Sequence, residues 1–312
     1  MKKLIQTILS IGIISAAIFF LYMNWDLFYA VRDINYKFFL FILFYAYISY
    51  LSIALAFKYQ IQVFNIKLPF KEWFGLSATN TMYNYFLPAR GGFVARAYYL
   101  NKKYGFEYSK YISLLSGAFL IGFLISSFTA ITCLIMLYLI YGAMYAQLLY
   151  VSIALFIGTL ISILIFWHFP TKFIRTPWRR LTEFFFNIIT GLRFFQNSKK
   201  ALFMVMITHF SMILFLGLRL YFAFLALGVE VNFLYIVVVQ SLVAFSMVIS
   251  LTPGNLGIKE GIIGLLATMM GIPLSDAIMA AAIDRAVAMI IVFTFGGIYH
   301  FVLLREPLEK VT

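Results

Sequence analysis

The longest uncharged stretch of the chain, residues 111–171, reads YISLLSGAFLIGFLISSFTAITCLIMLYLIYGAMYAQLLYVSIALFIGTLISILIFWHFPT. It holds 61 residues without Asp, Glu, Lys or Arg. A hydrocarbon core about 30 Å thick is crossed by about 20 helical residues, so the stretch is too long for one span. The natural turn lies near Tyr141, Gly142 and Ala143. The stretch therefore predicts two membrane-spanning helices joined by a short turn.

The composition of the whole chain agrees with a membrane protein. Of its 312 residues, 64% are hydrophobic and 11% are charged. Soluble domains are nearer 45–50% apolar and about 25% charged, so a soluble enzyme and a disordered chain are excluded. Cys133 has no second cysteine to pair with, and three separated histidines give no metal-binding spacing. We expect no cofactor and no metal.

Four further apolar runs predict spans. Leu4–Met23 reads as a retained helix, because its apolar run is long and no small-residue cleavage site follows it. The other three are Phe38–Phe57, Ala201–Leu227 and Ala277–Leu304. We therefore expect an all-α polytopic membrane protein, a single domain over residues 1–312 with about six full spans.

Two more apolar stretches, residues 73–89 and 231–258, are interrupted by helix-breaking residues. These are Pro88, Gly91 and Gly92 at the first break, and Pro253, Gly254 and Gly257 at the second. Proline and glycine end helices, so each stretch predicts two short helices around a break, a re-entrant hairpin. Such a hairpin is tolerated at membrane depth only where protein or a water-filled cavity lines it.

Basic residues gather in alternate connectors. Lys58–Lys110 holds eight basic and two acidic residues, and Pro170–Lys200 holds seven basic residues and one acid. Because cytoplasmic loops carry the excess of Lys and Arg, both connectors and both termini are predicted to be cytoplasmic. The connector at 170–200 is also amphipathic, which predicts an interfacial helix resting on anionic lipid. The net charge of +13 is thus assigned to lipid and not to nucleic acid.

The two halves of the chain resemble each other at a shift of about 166 residues. Phe38–Lys58 then falls on Met204–Phe224, and a hairpin, a Pro–Gly break and a long span follow in both halves. With six spans, the two copies begin on opposite faces of the membrane. We expect an inverted repeat, about 38–140 and 204–304. Secondary transporters commonly use this architecture, with the substrate site where broken helices meet.

The two breaks predict a site for an anion such as phosphate. Helices that begin there present unpaired N–H groups and a partial positive charge, and arginines lie beside them. The alternative is structural: the glycines allow close packing and the arginines extend to the membrane interface. The candidate substrate-binding residues are Arg90, Gly91, Gly92, Arg96, Pro253, Gly254, Asn255, Gly257 and Glu260.

Arg219, Lys259, Asp284 and Arg285 fall within predicted spans, where charge is costly. Adjacent helical residues point about 100° apart, so Asp284 and Arg285 need separate partners. Lys259 or Arg219 would serve Asp284. The set is either a charge network that holds the repeats together or a part of gating and of substrate or proton handling.

Glu260 lies in the first turn after the second break. Arg285 or Arg96 would pair with it. A carboxylate there is favoured by the helix dipole, which is one interpretation. The other is an acceptor for a proton or for a headgroup amine.

At the two breaks the chain resembles the flippase-type membrane domain of bacterial lysylphosphatidylglycerol synthases and their free-standing bacterial and archaeal relatives. The matching residues are Pro88, Gly91, Gly92, Arg96 and Leu100, then Pro253, Gly254, Gly257 and Glu260, and in the last span Arg285 and Gly297. Phe93 stands where many members carry an acidic residue. The resemblance implies a lipid translocase fold in a bacterial or archaeal cell membrane. Because only Glu306–Thr312 follow the last span, we do not expect the soluble synthase domain or its activity.

These observations lead us to expect a lipid transporter of the flippase or scramblase type, with no catalytic residues. Its substrate would be an anionic or zwitterionic phospholipid, or a polyprenyl-phosphate-linked lipid. No Walker-type glycine loop is present in the sequence, which leaves downhill movement or ion coupling. The alternatives are a membrane-embedded lipid-modifying enzyme and a non-transporting scaffold for a glycosyltransferase. Further candidate partners are a second copy of the chain and a lipid-synthesis enzyme.

Overall fold

A computed structural model describes residues 22–23, 36–87, 90–142, 145–168, 179–249 and 252–304. In these ranges the regular structure is helical, with ten α-helices. They are α1 Tyr36–Gln62, α2 Phe70–Phe86, α3 Gly91–Tyr104, α4 Tyr108–Tyr141, α5 Ala146–His168, α6 Arg179–Asn197, α7 Lys199–Ala226, α8 Phe233–Val243, α9 Ile258–Thr268 and α10 Leu274–Leu304.

Five of the described helices, α1, α4, α5, α7 and α10, are long and apolar enough to cross a membrane. The two spans predicted within residues 111–171 are confirmed as α4 and α5. Gly142 ends α4 with φ at 66°, in the left-handed region that glycine adopts without strain. The sixth predicted span, Leu4–Met23, lies outside the described residues except for Tyr22 and Met23.

The first interrupted stretch forms α2 and α3. The chain leaves α2 in extended conformation at Leu87, and α3 starts after Arg90, whose φ is 56°. Pro88 and Ala89 lie outside the described residues. The two helices touch closely, since a Cβ added to Gly92 would lie 2.1 Å from the carbonyl oxygen of Asn80. Only glycine fits at that contact.

The second interrupted stretch forms α8, two short 3-10 turns and α9. The turns cover Ala244–Ile249 and Pro253–Asn255. Gly254, Asn255 and Gly257 all have positive φ, from 58° to 79°. These left-handed residues reverse the chain before α9, as the glycine content of the stretch predicts.

The helices α7 to α10 follow the order of α1 to α4. The starts of α1 and α7, and of α4 and α10, are separated by about 163 and 166 residues. α4 packs on α8 and α10 packs on α2, while α1 packs mainly on α7. If α1–α4 are exchanged with α7–α10, the contact of α4 with α8 becomes the contact of α10 with α2, and the contact of α1 with α7 is unchanged.

The pair α1 and α7 is antiparallel. The ring of Phe41 stacks on Phe222 at 4.8 Å between centroids, and Tyr45 stacks on Phe215 at 6.4 Å. Residue numbers rise along α1 as they fall along α7. The start of one helix therefore lies beside the end of the other.

The apolar face of α6 packs on protein. Ile188, Ile189, Leu192 and Phe195 are buried, and a Cβ added to Gly191 would lie 1.9 Å from the carbonyl oxygen of Ser113 on α4. The sequence pattern predicts an amphipathic helix resting on lipid, whereas these four apolar side chains are buried inside the protein; Phe186 on the same helix is 47% exposed. Amphipathicity alone does not distinguish a helix buried against a neighbour from one resting on a membrane.

Candidate functional site

Asp284 on α10 is fully buried and accepts hydrogen bonds from two cations. Arg219 on α7 binds both carboxylate oxygens, Nε to Oδ1 and Nη2 to Oδ2 at 2.9 Å. The ammonium of Lys259 on α9 lies 3.3 Å from Oδ2. The sequence analysis leaves Lys259 and Arg219 as alternative partners of Asp284, and in the structure both bind it.

Glu260 uses both of its carboxylate oxygens inside the protein. Oε2 accepts from the backbone N–H of Gly257 at 2.8 Å, and Oε1 accepts from Nε of Arg285. The same guanidinium donates to the backbone carbonyls of Gly254 at 3.0 Å and Asn255 at 3.4 Å. Arg285, and not Arg96, is thus the partner of Glu260, and this pair holds the second break in shape.

These five side chains form one group, which we call the charge cluster: Arg219, Lys259, Glu260, Asp284 and Arg285. All five come from the second half of the chain, so within this group the ion pairs join α7, α9 and α10 and do not link the two halves. Three cations stand against two acids, which leaves one excess positive charge. The Lys259 side chain is 23% exposed and the others less, so this charge is largely withdrawn from solvent.

The first half of the chain meets the charge cluster through Tyr85, near the end of α2. A Cβ added to Gly254 would lie 3.0 Å from a ring carbon of Tyr85. The guanidinium carbon of Arg285 lies 6.0 Å from the centre of the same ring. The second break is therefore packed against the segment that leads into the first break. Tyr85 is missing from the sequence-based site, since nothing local separates it from the other tyrosines.

A cavity of about 170 Å³ lies between α1, α2, α7 and α10. Helices from both halves contribute to it, and we call it the central cavity. Its polar lining consists of Ser49, Tyr50, Thr81, Tyr85 and Arg219. It places one member of the charge cluster beside a space large enough for several waters.

A larger cavity of about 470 Å³ lies between α2, α3 and α10, and we call it the lateral cavity. Gly91 and Arg96 line it, and Arg90 does not. Arg90 instead precedes α3 and lies 6.0 Å from the ring centre of Phe93. The guanidinium carbon of Arg96 lies 4.1 Å from the ring centre of Phe57.

The structure thus separates residues that the sequence analysis places around one chamber. Gly254, Asn255 and Gly257, the candidates of the second break whose side-chain positions are described, line neither cavity. The carbonyls of Gly254 and Asn255 accept from Arg285, and the N–H of Gly257 donates to Glu260. At the first break, the N–H of Gly92 donates to Oδ1 of Asn84 at 3.0 Å, so this helix start is partly capped. The close packing of α3 on α2 therefore explains why glycine stands at position 92.

The chain is a helical membrane protein with two interrupted hairpins beside a buried charge cluster. Its sequence matches the model of the lysylphosphatidylglycerol synthase TM region over residues 7–296, and it belongs to that family. The resemblance noted at the two breaks is confirmed by this match. No curated protein matches the chain significantly. The family connects the chain with membrane lipids.

Proposed function

We propose that the protein moves a lipid between the two leaflets of a bacterial or archaeal cell membrane, and that it is not an enzyme. The substrate would be an anionic or zwitterionic phospholipid, or a polyprenyl-phosphate-linked lipid. The observation that carries this proposal is the charge cluster, because a buried excess of positive charge is costly in a membrane. An anionic headgroup that passes close to it would offset that cost.

The helix arrangement supports a transporter with inverted repeats. α1 and α7 are antiparallel neighbours, and exchanging the two sets of four helices maps the contact of α4 with α8 onto that of α10 with α2. An internal two-fold axis that relates antiparallel neighbours lies in the membrane plane, which is the symmetry of inverted-repeat transporters. On this arrangement both hairpins are re-entrant.

The central cavity supports a route for the headgroup. It lies between helices of both halves and carries hydroxyl groups as well as Arg219. Cavities at the interface of two repeats are where transporters of this architecture bind substrate. The acyl chains would stay in the bilayer while the headgroup passes. No covalent bond of the lipid or of the protein would be made or broken.

Reconstitution tests the proposal. The full-length protein is placed in liposomes with a trace of fluorescent phosphatidylglycerol, and an impermeant reductant bleaches the outer leaflet. We expect loss of the inner-leaflet signal and an unchanged lipid on chromatography. A chemically altered lipid would support the enzyme, and neither change would support the glycosyltransferase scaffold, so either result contradicts the proposal.

Arg219→Gln makes the test specific. This change removes the cation that lines the central cavity, and we expect leaflet exchange to fall at least tenfold. Lys110→Gln is the matched control, because it removes a surface cation that pairs with exposed Glu107. If both variants exchange lipid at the wild-type rate, the charge cluster has no part in transport.

A further inference from the structure

The lateral cavity opens toward the outside of the helix bundle. Two of the residues that line it on α3, Val94 and Tyr98, are 69% and 49% exposed. Most of its wall is apolar, including Leu76, Leu87 and Leu303. In the re-entrant arrangement proposed above, α3 lies within the membrane, so its exposed apolar surface faces acyl chains. A ligand can therefore enter this cavity sideways from the bilayer.

His300 lies in the wall of the lateral cavity and is 4% exposed. Its Nδ1 lies 2.5 Å from the hydroxyl of Tyr83, and its Nε2 has no partner among the described residues. If Tyr83 donates this hydrogen bond, the imidazole proton is on Nε2. If Nδ1–H of His300 donated to Tyr83 instead, both the phenol proton and the Nε2 lone pair would lack a hydrogen-bond partner. Two unpaired buried polar groups cost more free energy than one. The Tyr83 bond therefore makes His300 Nε2–H a donor without an acceptor.

Arg96 brings positive charge to the same wall. It is 5% exposed, and its Nε has no hydrogen-bond partner among the described residues. Its guanidinium carbon lies 4.1 Å from the ring centre of Phe57 and 5.9 Å from that of Phe93. The described residues that line the cavity include no Asp or Glu. The wall thus has a cation and an unused donor, and it offers no carboxylate.

We propose that the lateral cavity binds the phosphate of an anionic membrane lipid. Arg96 supplies the charge, His300 donates from Nε2, and Tyr83 is a positioning residue that holds the His300 tautomer. The apolar wall contacts the glycerol and the first acyl carbons, which lie next to the phosphate. This inference rests on the proposed function and narrows its substrate: an aminoacylated, cationic headgroup finds no carboxylate here and is disfavoured.

A binding measurement tests the inference without transport. Fluorescent phosphatidylglycerol is bound to the full-length protein in neutral detergent, followed by anisotropy, and competed with unlabelled lipids. We expect phosphatidylglycerol to displace the probe at a concentration at least tenfold lower than diacylglycerol or lysylphosphatidylglycerol. Equal displacement by diacylglycerol or by the lysyl lipid overturns the assignment. Inorganic phosphate distinguishes the free ion from the lipid, and displacement as strong as that by phosphatidylglycerol would also overturn it.

Substitutions at His300 identify the donor. His300→Leu removes it, and loss of a hydrogen bond to a charged group lowers affinity on the order of 10- to 100-fold. His300→Gln retains an amide donor near the Nε2 position and should keep most of the affinity. His168→Leu is the control, because this exposed histidine ends α5 and bonds within its own helix. Equal losses in the Gln and Leu variants would contradict the donor role.

Tyr83→Phe tests the positioning role. We expect weaker phosphatidylglycerol binding together with a change in the imidazole ¹⁵N shifts of His300, from the Nε2–H tautomer to a mixture. Tyr150→Phe, at an exposed position on α5, should change neither. Normal His300 shifts in the Tyr83→Phe protein would show that Tyr83 does not set the tautomer.

The two proposals fail separately. Phosphate-selective binding without leaflet exchange of any lipid would overturn transport and leave the lateral site. If the protein exchanges lipid between leaflets, but its lipid binding depends neither on the lipid phosphate nor on His300, the lateral site is overturned and transport stands.

Discussion

Asp284 is the residue on which the charge cluster depends, because it is the acid shared by Arg219 and Lys259. Removing one partner from a buried ion pair costs about 3–5 kcal/mol, since it leaves an uncompensated charge. We therefore predict that Asp284→Asn lowers the free energy of unfolding in mixed micelles by an amount of that order. Asp276→Asn is the control in the first turn of the same helix, where the exposed acid accepts a hydrogen bond from the hydroxyl of the neighbouring Ser275.

The double variant Asp284→Asn with Arg219→Gln distinguishes charge imbalance from lost packing. Removing one cation along with the acid restores part of the balance, so the double variant should be less destabilised than the sum of the two single changes. Strictly additive losses would mean that the pair does not interact as the geometry indicates.

Sequence reasoning at this scale identifies charged residues better than uncharged ones. Asp284 and Arg285 stand out because charge within an apolar helix needs a reason, and their separate partners follow from helical geometry. Tyr83 and His300 do not stand out, because they are 217 positions apart and only the packing of α2 on α10 brings them together. Arg90 is predicted in the site, yet the lateral cavity is lined by Arg96 and not by it.

The first hairpin depends on the contact between α2 and α3 at Gly92. A Cβ there would lie 2.1 Å from a backbone oxygen, which cannot move without bending α2. We predict that Gly92→Ala prevents normal folding or abolishes leaflet exchange. Gly261→Ala in the first turns of α9 is the control, because no described atom outside the backbone of its own turn and its two chain neighbours lies within 4 Å of the added carbon. It should be neutral or stabilise the helix by up to about 1 kcal/mol.

The antiparallel contact of α1 with α7 is testable by cross-linking. In a protein with Cys133 replaced, cysteines at Phe41 and Phe222 should be joined by a bifunctional thiol cross-linker with a short spacer, because the two native rings stack at 4.8 Å. Cysteines at Phe41 and Met206 should not, since Met206 lies toward the other end of α7. The reverse result would mean that the helices run parallel, and the inverted arrangement would fail.

At the scale of elements, the sequence predicts the helices well and their surroundings less well. Long uncharged runs give α1, α4, α5, α7 and α10, and proline and glycine mark both breaks. The environment of α6 is not readable in this way, because its apolar face has the same pattern whether it meets α4 or lipid. The contact between Gly191 and Ser113 is a property of the folded chain.

For the whole molecule, the charge distribution predicts which ends of the helices face the cytoplasm. A cysteine at Lys102, near the end of α3, should react with an impermeant reagent only from the cytoplasmic side. A cysteine at Glu230, between α7 and α8, should react only from the other side. Labelling of both from one side would contradict the predicted topology and the cytoplasmic termini.

Leaflet exchange in liposomes, compared between the wild-type protein and Arg219→Gln, tests the central claim most directly. The account predicts that the wild-type protein exposes inner-leaflet phosphatidylglycerol to the reductant, that Arg219→Gln does so at least tenfold more slowly, and that Lys110→Gln behaves as wild type. A wild-type protein that leaves the inner-leaflet lipid protected, although folded and correctly inserted, would contradict it.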